Sequence, residues 1–111
     1  MKLLVFILNK EEHLEEILEA FLELNIKGAT ILDSVGMGSI LARDIPIFAG
    51  FKNLLQGSRT ANKTILTVLP DRLVESAVKA VEQIVGSLED PGNGLMFVLD
   101  IEKVFGLSKA F

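Results

Sequence analysis

Two stretches of helical apolar spacing, each set between short apolar runs of strand character, limit what this chain can become. Residues 2–8 read Lys-Leu-Leu-Val-Phe-Ile-Leu, a continuous apolar run that predicts a central strand or one buried on both faces. After Asn9-Lys10-Glu11-Glu12, the residues Leu14, Ile17, Leu18, Phe21 and Leu22 recur at helical spacing, and glutamates cover most of the other face. Asn9 is the expected helix cap, with Glu12 reaching back to it. Asn25-Ile26-Lys27-Gly28 ends the helix, and Ala29 to Val35 predicts a second strand. The pattern then repeats. Lys63 to Leu69 predicts a third strand, and Pro70-Asp71 opens a second helix with Asp71 as the expected cap. The second helix carries the stripe Val74, Ala77, Val78, Val81, Ile84 and Val85. A turn rich in Gly, Asp and Pro spans Gly86 to Asn93, and Leu95 to Ile101 predicts the fourth strand.

The order β-α-β-β-α-β is the ferredoxin-like layout of class α+β. It predicts an antiparallel four-stranded sheet with two helices on one face. The length of 111 residues suits one domain, 1–111, with a long central loop at about 39–62. Val5, Ile7, Ile65 and Val98 alternate with other apolar residues, so both sheet faces read as apolar. A second apolar face needs a cover, and burial between subunits is the simplest one.

Composition excludes several function classes. The chain has no cysteine, which removes disulfide, zinc-thiolate and iron–sulfur sites and suits a reducing cytosol. A net charge of −4 leaves no basic footprint for nucleic acid. With one histidine and no visible nucleophile–base pair, no enzyme is expected. His13 sits on the glutamate-rich side of the first helix and reads as a surface residue. Its i, i+3 spacing to Glu16 is the weak metal signal, and no metal site is expected. The run Leu3 to Leu8 is too short to span a bilayer, and no small-residue cleavage site follows it. The expected location is the cytoplasm.

Three further segments admit two readings each. Gly36 and Gly38 flank Met37, either as a plain strand-ending turn or as backbone that approaches a ligand. Gly92-Asn93-Gly94 is either an ordinary turn or a nest of backbone N–H groups for an anion. The segment from Asp44 to Leu55 predicts a short amphipathic helix over 45–55, with Ile47, Phe48, Phe51, Leu54 and Leu55 on one face. That stripe either packs on its own subunit or a neighbouring one, or docks on a target protein. No membrane contact is expected except through a membrane-protein partner.

Several segments together resemble the P-II nitrogen-regulatory signalling proteins. Met-Lys-Leu-Leu-Val-Phe-Ile-Leu followed by an acidic helix is similar to that family's first unit. Gly28-Ala29-Thr30-Ile31 and Val35-Gly36-Met37-Gly38 resemble its second strand and the Gly-aromatic-Gly entry to its T-loop. Val68-Leu69-Pro70-Asp71 resembles the step into its second helix, and Gly92 to Val98 resembles its B-loop and last strand. The likeness spans residues 1–38 and 62–105. It implies a homotrimer with adenine nucleotides bound in intersubunit clefts, signalling to target proteins through the T-loop. It also implies Thr30, Gly36, Met37, Gly38, Val68, Gly92, Asn93 and Gly94 as ligand-binding positions, with Val68 offering backbone bonds to an adenine-like ring.

Departures from the family pattern fall where phosphates are held. Ser39-Ile40 stands for Arg-Gln, Leu95 for the B-loop lysine, and Gly106 and Ser108 for two C-terminal arginines. Charge-assisted bonds of this kind contribute roughly 1.5–3 kcal/mol each, so weak or absent ATP binding is expected. AMP or a small anion stays open as a ligand, with Lys63, Arg59 or Lys103 as partial substitutes for the lost cations. The alternative function is a structural or interaction trimer without nucleotide binding, shaped like the CutA proteins.

Overall fold

The computed structural model describes residues 1–44 and 61–107, and the stripe Ile47, Phe48, Phe51, Leu54 and Leu55 lies outside them. Alternation of apolar residues along the first run produces strand β1, Lys2–Leu8, with Leu4, Phe6 and Leu8 turned to a fully buried face. A single 3-10 turn, Glu11–His13, leads into α1, Leu14–Glu23. Strand β2 is Thr30–Ser34, helix α2 is Met37–Asp44, and strand β3 is Asn62–Leu69. A second 3-10 turn, Asp71–Leu73, opens helix α3, Val74–Val85, and strand β4 is Leu95–Asp100. All neighbours in the sheet are antiparallel, in the order β2-β3-β1-β4. This is the ferredoxin-like arrangement that the sequence predicts.

The register assigns each face. Phe6 pairs with Ile65 on one side and Met96 on the other, and Ile31 pairs with Ile65, so these four share a face. That face packs under α1 and α3. Ile17 and Phe21 reach it from α1, and Ala77, Val81 and Val85 from α3, all buried in one core with Leu4, Leu8 and Leu69. Full burial of such side chains contributes roughly 1.5–3 kcal/mol each. The opposite face carries Leu3, Val5, Ile7, Leu66, Val68, Leu95, Phe97 and Leu99, with Thr30 and Leu32 from β2. No described element covers it as the two helices cover the other, and Leu32, Leu95, Phe97 and Leu99 are exposed.

Some sequence expectations need correction. The expected side-chain caps are not made: Lys10 and Pro70, rather than Asn9 and Asp71, take the capping positions, and neither makes a side-chain capping bond. Both helices instead begin with a 3-10 turn, whose own backbone bonds, His13 N to Lys10 O at 3.0 Å and Leu73 N to Pro70 O at 3.0 Å, take up amides that a cap would satisfy. Leu22, placed in the apolar stripe of α1, is 62% exposed because Ile17 and Phe21 define the buried direction. Residues 39 to 44, expected to open an irregular middle, are helical instead. Met37, Ile40 and Leu41 recur at helical spacing, and Ile40 N bonds Gly36 O at 3.2 Å, so α2 forms despite Gly38.

Helix ends are set by left-handed residues. Asn25 closes α1 at φ 67°, with Ile26 N bonded to Phe21 O at 2.8 Å. Gly86 closes α3 at φ 97°. A side chain there would also meet the Asn93 amide, with Nδ2 only 2.9 Å from the added carbon.

Candidate functional site

The ligand-binding positions expected from the sequence fall in three places. Thr30 and Val68 come together at the start of β2, where they line a cavity of about 400 Å³ with Leu3, Gly28, Leu66 and Leu107. Leu3, Leu66 and Val68 belong to the uncovered face by register, so the cavity lies beside that face. Beneath it, the Thr67 hydroxyl donates to the Gly28 carbonyl at 2.6 Å. Thr67 is nearly fully buried, and this bond ties β3 to the segment entering β2. Lys27 is the cation in the cavity lining.

Gly36, Met37 and Gly38 lie at the other end of β2. Met37 is 77% exposed as the first residue of α2, and Gly36 has no left-handed φ. The strand ends below them are clasped by polar groups. Ser34 Oγ donates to the Asn62 side-chain oxygen and lies 2.7 Å from Thr64 Oγ1. Asn62 is buried at 7% exposure, so this cluster is an interior brace where the central segment leaves and rejoins the sheet. Across the same strand pair, Lys63 bonds Asp33. That bond holds the Lys63 ammonium above its ordinary range, and it engages one of the three cations expected as partial substitutes for the lost phosphate contacts.

Gly92, Asn93 and Gly94 lead into β4, on the opposite edge of the sheet from β2. Two strands lie between those edges, so the separation is about 14 Å at ~4.8 Å per strand. Gly92 and Gly94 have φ of 85° and 126°. At Gly94 an added carbon would lie 2.5 Å from the Phe6 ring and 2.9 Å from the Ile7 carbonyl, so glycine is required on both counts. The Asn93 side chain points inward. Its Nδ2 donates to Ser87 O at 2.7 Å, and its Oδ1 accepts from Lys10 Nζ at 2.9 Å. Gly36 to Gly38 and Gly92 to Gly94 thus share one end of the sheet but opposite edges, while Thr30 and Val68 sit toward the other end.

His13 Nδ1 lies 3.1 Å from Glu16 Oε1, a local surface pair. Among the described residues no group of three or more metal-ligating side chains gathers. No helix among them is long and apolar enough to cross a membrane. The sequence reading missed Lys10, Thr67, Leu107 and the Ser34–Asn62–Thr64 cluster. The buried polar residues Asn62 and Thr67 carry a faint signal, as polar positions inside an apolar strand. Lys10 and Leu107 carry none, because their partners lie far away in sequence.

Known proteins enter at this point. The family model described as nitrogen regulatory protein P-II matches residues 1–110, and the chain belongs to that family. The sequence matches no curated protein. Membership makes the chain a relative of regulatory signal-transduction proteins, whose members typically form homotrimers and interact with target proteins.

Proposed function

We propose that the chain acts as a non-enzymatic, cytoplasmic P-II-type regulator that forms a homotrimer and senses a small effector in the clefts between subunits. The central segment, about residues 39–62, then carries the state of the cleft to a partner protein, with Ile47, Phe48, Phe51, Leu54 and Leu55 as the contact stripe. The observation that carries this reading is the cavity beside Thr30 and Val68, next to an apolar sheet face that needs a cover. The remaining expected positions, Gly36 to Gly38 and Gly92 to Gly94, lie outside that cavity, on opposite edges of one chain. A site using all of them is completed by a neighbouring subunit.

Charge argues for a weakly anionic effector. Lys63 is paired with Asp33; Leu95, Ser39 and Gly106 supply no cation, and Lys27 is left as the cation lining the cavity. AMP or a small anion fits this surface better than a triphosphate, whose affinity leans on charge-assisted bonds. The same shortage of cations favours the second reading, a structural or interaction trimer that binds no nucleotide.

Native mass spectrometry and calorimetry test the two together. The expected outcome is a particle of three times the 12.1 kDa chain mass that binds AMP more tightly than ATP. A monomer at micromolar concentration removes the intersubunit cleft. An intact trimer that binds no nucleotide leaves the structural reading. Tight, magnesium-dependent ATP binding overturns the charge argument.

A further inference from the structure

The nine-residue turn from Gly86 to Gly94 should be hard to hold in one shape. Gly86, Gly92 and Gly94 all adopt positive φ, and glycine loses more backbone freedom on ordering than any other residue. One side chain from a remote part of the chain is positioned to offset that loss. Lys10 sits at the junction between β1 and the turn that starts α1, and its ammonium is partly buried. It donates to Asn93 Oδ1 at 2.9 Å and approaches the carbonyl of Val85, the last residue of α3, at 3.4 Å. Asn93 is buried at 9% exposure and passes the tie on through Nδ2 to Ser87 O at 2.7 Å. One cation therefore joins the end of α3, the start of the turn and its far limb to the first strand–helix junction. A cation also suits the carbonyl end of a helix, where the last C=O groups lack helical partners.

We propose that Lys10 is a positioning residue, which fixes the turn of residues 86–94 in the shape that presents the Gly92–Gly94 backbone to the effector. This rests on the effector reading above. Leu95, Ser39 and Gly106 bring no cation of their own, so recognition by the turn relies on its backbone N–H groups. Backbone groups are useful only in a fixed arrangement, and the Lys10–Asn93–Ser87 chain supplies it. Lys10 thus acts on the ligand through the turn rather than by touching it.

The test compares full-length wild type, Lys10→Met and Lys10→Arg. Amide hydrogen exchange is read residue by residue, and AMP affinity by calorimetry. Lys10→Met should speed exchange in the turn by roughly tenfold or more, the scale of one charged hydrogen bond, while β1 and β3 keep their protection. It should weaken AMP binding by roughly the same factor. Lys10→Arg should restore most of both, since the guanidinium also offers several donors to the same acceptors. Unchanged exchange in the turn overturns the proposal. So does a loss of affinity with the turn still protected, which would make Lys10 a direct ligand contact. Equal loosening of the turn and the central strands also overturns it, by making Lys10 a general stabiliser. Should wild type bind no AMP, the AMP form of the effector reading fails by itself. The exchange contrast then still decides whether Lys10 fixes the turn, local loosening supporting it and its absence overturning it.

Discussion

The two faces of the sheet are built from similar residues and end in different environments. On one face Leu4, Phe6, Leu8, Ile65 and Leu69 have no solvent exposure, because α1 and α3 lie over them. On the other, Leu95, Phe97 and Leu99 are 58%, 43% and 47% exposed. Hydrophobicity therefore says that a face needs a cover, whereas chain topology says whether the same chain supplies it. Among the described residues, α1 and α3 fall on one side of the sheet and no element covers the other in the same way. An apolar face of this kind is an association surface or an aggregation liability, and the family to which the chain belongs favours association.

The sharpest way to break this contrast is to remove one aromatic ring from each face. Phe6→Ala deletes a ring with no exposed surface and should cost about 3–5 kcal/mol, enough to unfold much of the population in a thermal or urea melt. Phe97→Ala should cost far less in a dilute monomer, since much of the ring is already in water. If the face is buried between subunits, Phe97→Asp should instead shift the particle toward monomer and make the melting temperature depend on protein concentration. A Phe97→Ala loss as large as that of Phe6→Ala, with no dependence on concentration, would mean that the chain covers this face itself.

Gly94 sharpens the same comparison from the backbone side. It brings the entry of β4 against the Phe6 ring on the covered face, with φ at 126°. Gly94→Ala adds a carbon within contact distance of both the ring and the Ile7 carbonyl. Strain and overpacking together should cost about 2–4 kcal/mol, read as a drop in the urea midpoint. Gly92 is also at positive φ, but nothing lies within 4 Å of an added carbon. Gly92→Ala should therefore cost only about 1–2 kcal/mol of conformational strain. Equal effects at the two glycines would refute the packing part of this account.

How much of this was legible in the sequence depends on how far apart the interacting residues lie. Strand β1 was readable as one apolar run, and α1 and α3 from their helical spacing, because those signals are local. The antiparallel order followed from the sequence of elements. Helix α2 was hidden because Gly36 and Gly38 read as breakers, although Met37, Ile40 and Leu41 keep the helical spacing. Asn9 and Asp71 read as caps because their types suit that role, yet 3-10 turns took it over. At the site, the meeting of Thr30 with Val68 was legible only through the family resemblance. The inward turn of Asn93 was not legible at all, since its partner Lys10 lies 83 positions away.

A smaller effect is expected at Thr67, a buried polar residue on the covered face. Its hydroxyl donates to the Gly28 carbonyl beside the cavity, and the residue is only 2% exposed. Thr67→Val keeps the shape and removes the donor, leaving that carbonyl short of a partner. The expected cost is about 1–3 kcal/mol in the urea midpoint. Because the bond ties β3 to the entry of β2, exchange of the amides near Gly28 to Thr30 should rise more than that of β1. A variant as stable as wild type would show that water takes over the carbonyl, and that the bond does not hold the cavity wall.

The smallest effect belongs to the ion pairs that close the two ends of the covered face. Lys2 faces Asp100 across β1 and β4, and Asp33 faces Lys63 across β2 and β3, each as direct cross-strand partners. The hydrogen bond from Lys2, and then its charge, holds the Asp100 carboxyl below its ordinary pKa of 3.8. Any stability from Asp100 is therefore complete above that ordinary value and is lost as pH falls through its lower folded value. The bonds from Asp100 and Asp33 hold the Lys2 and Lys63 ammonium groups above 10.5. Their share is complete below 10.5 and is lost as pH rises through the folded values. Melting temperature should accordingly be flat between about pH 5 and pH 9 as far as these pairs are concerned, and decline on both sides. Exposure of the acids lets solvent and salt weaken both pairs, so the decline should be shallow and should shrink with added salt. Asp100→Asn should flatten the acid limb, because it removes the group whose protonation drives it. The same substitution takes from Lys2 the bond that holds its ammonium above the ordinary range, so the alkaline limb should shrink toward the share of Lys63 alone. An acid limb of unchanged depth in Asp100→Asn would place the acid sensitivity elsewhere, and the cross-strand pair would then contribute to strand register without contributing to stability.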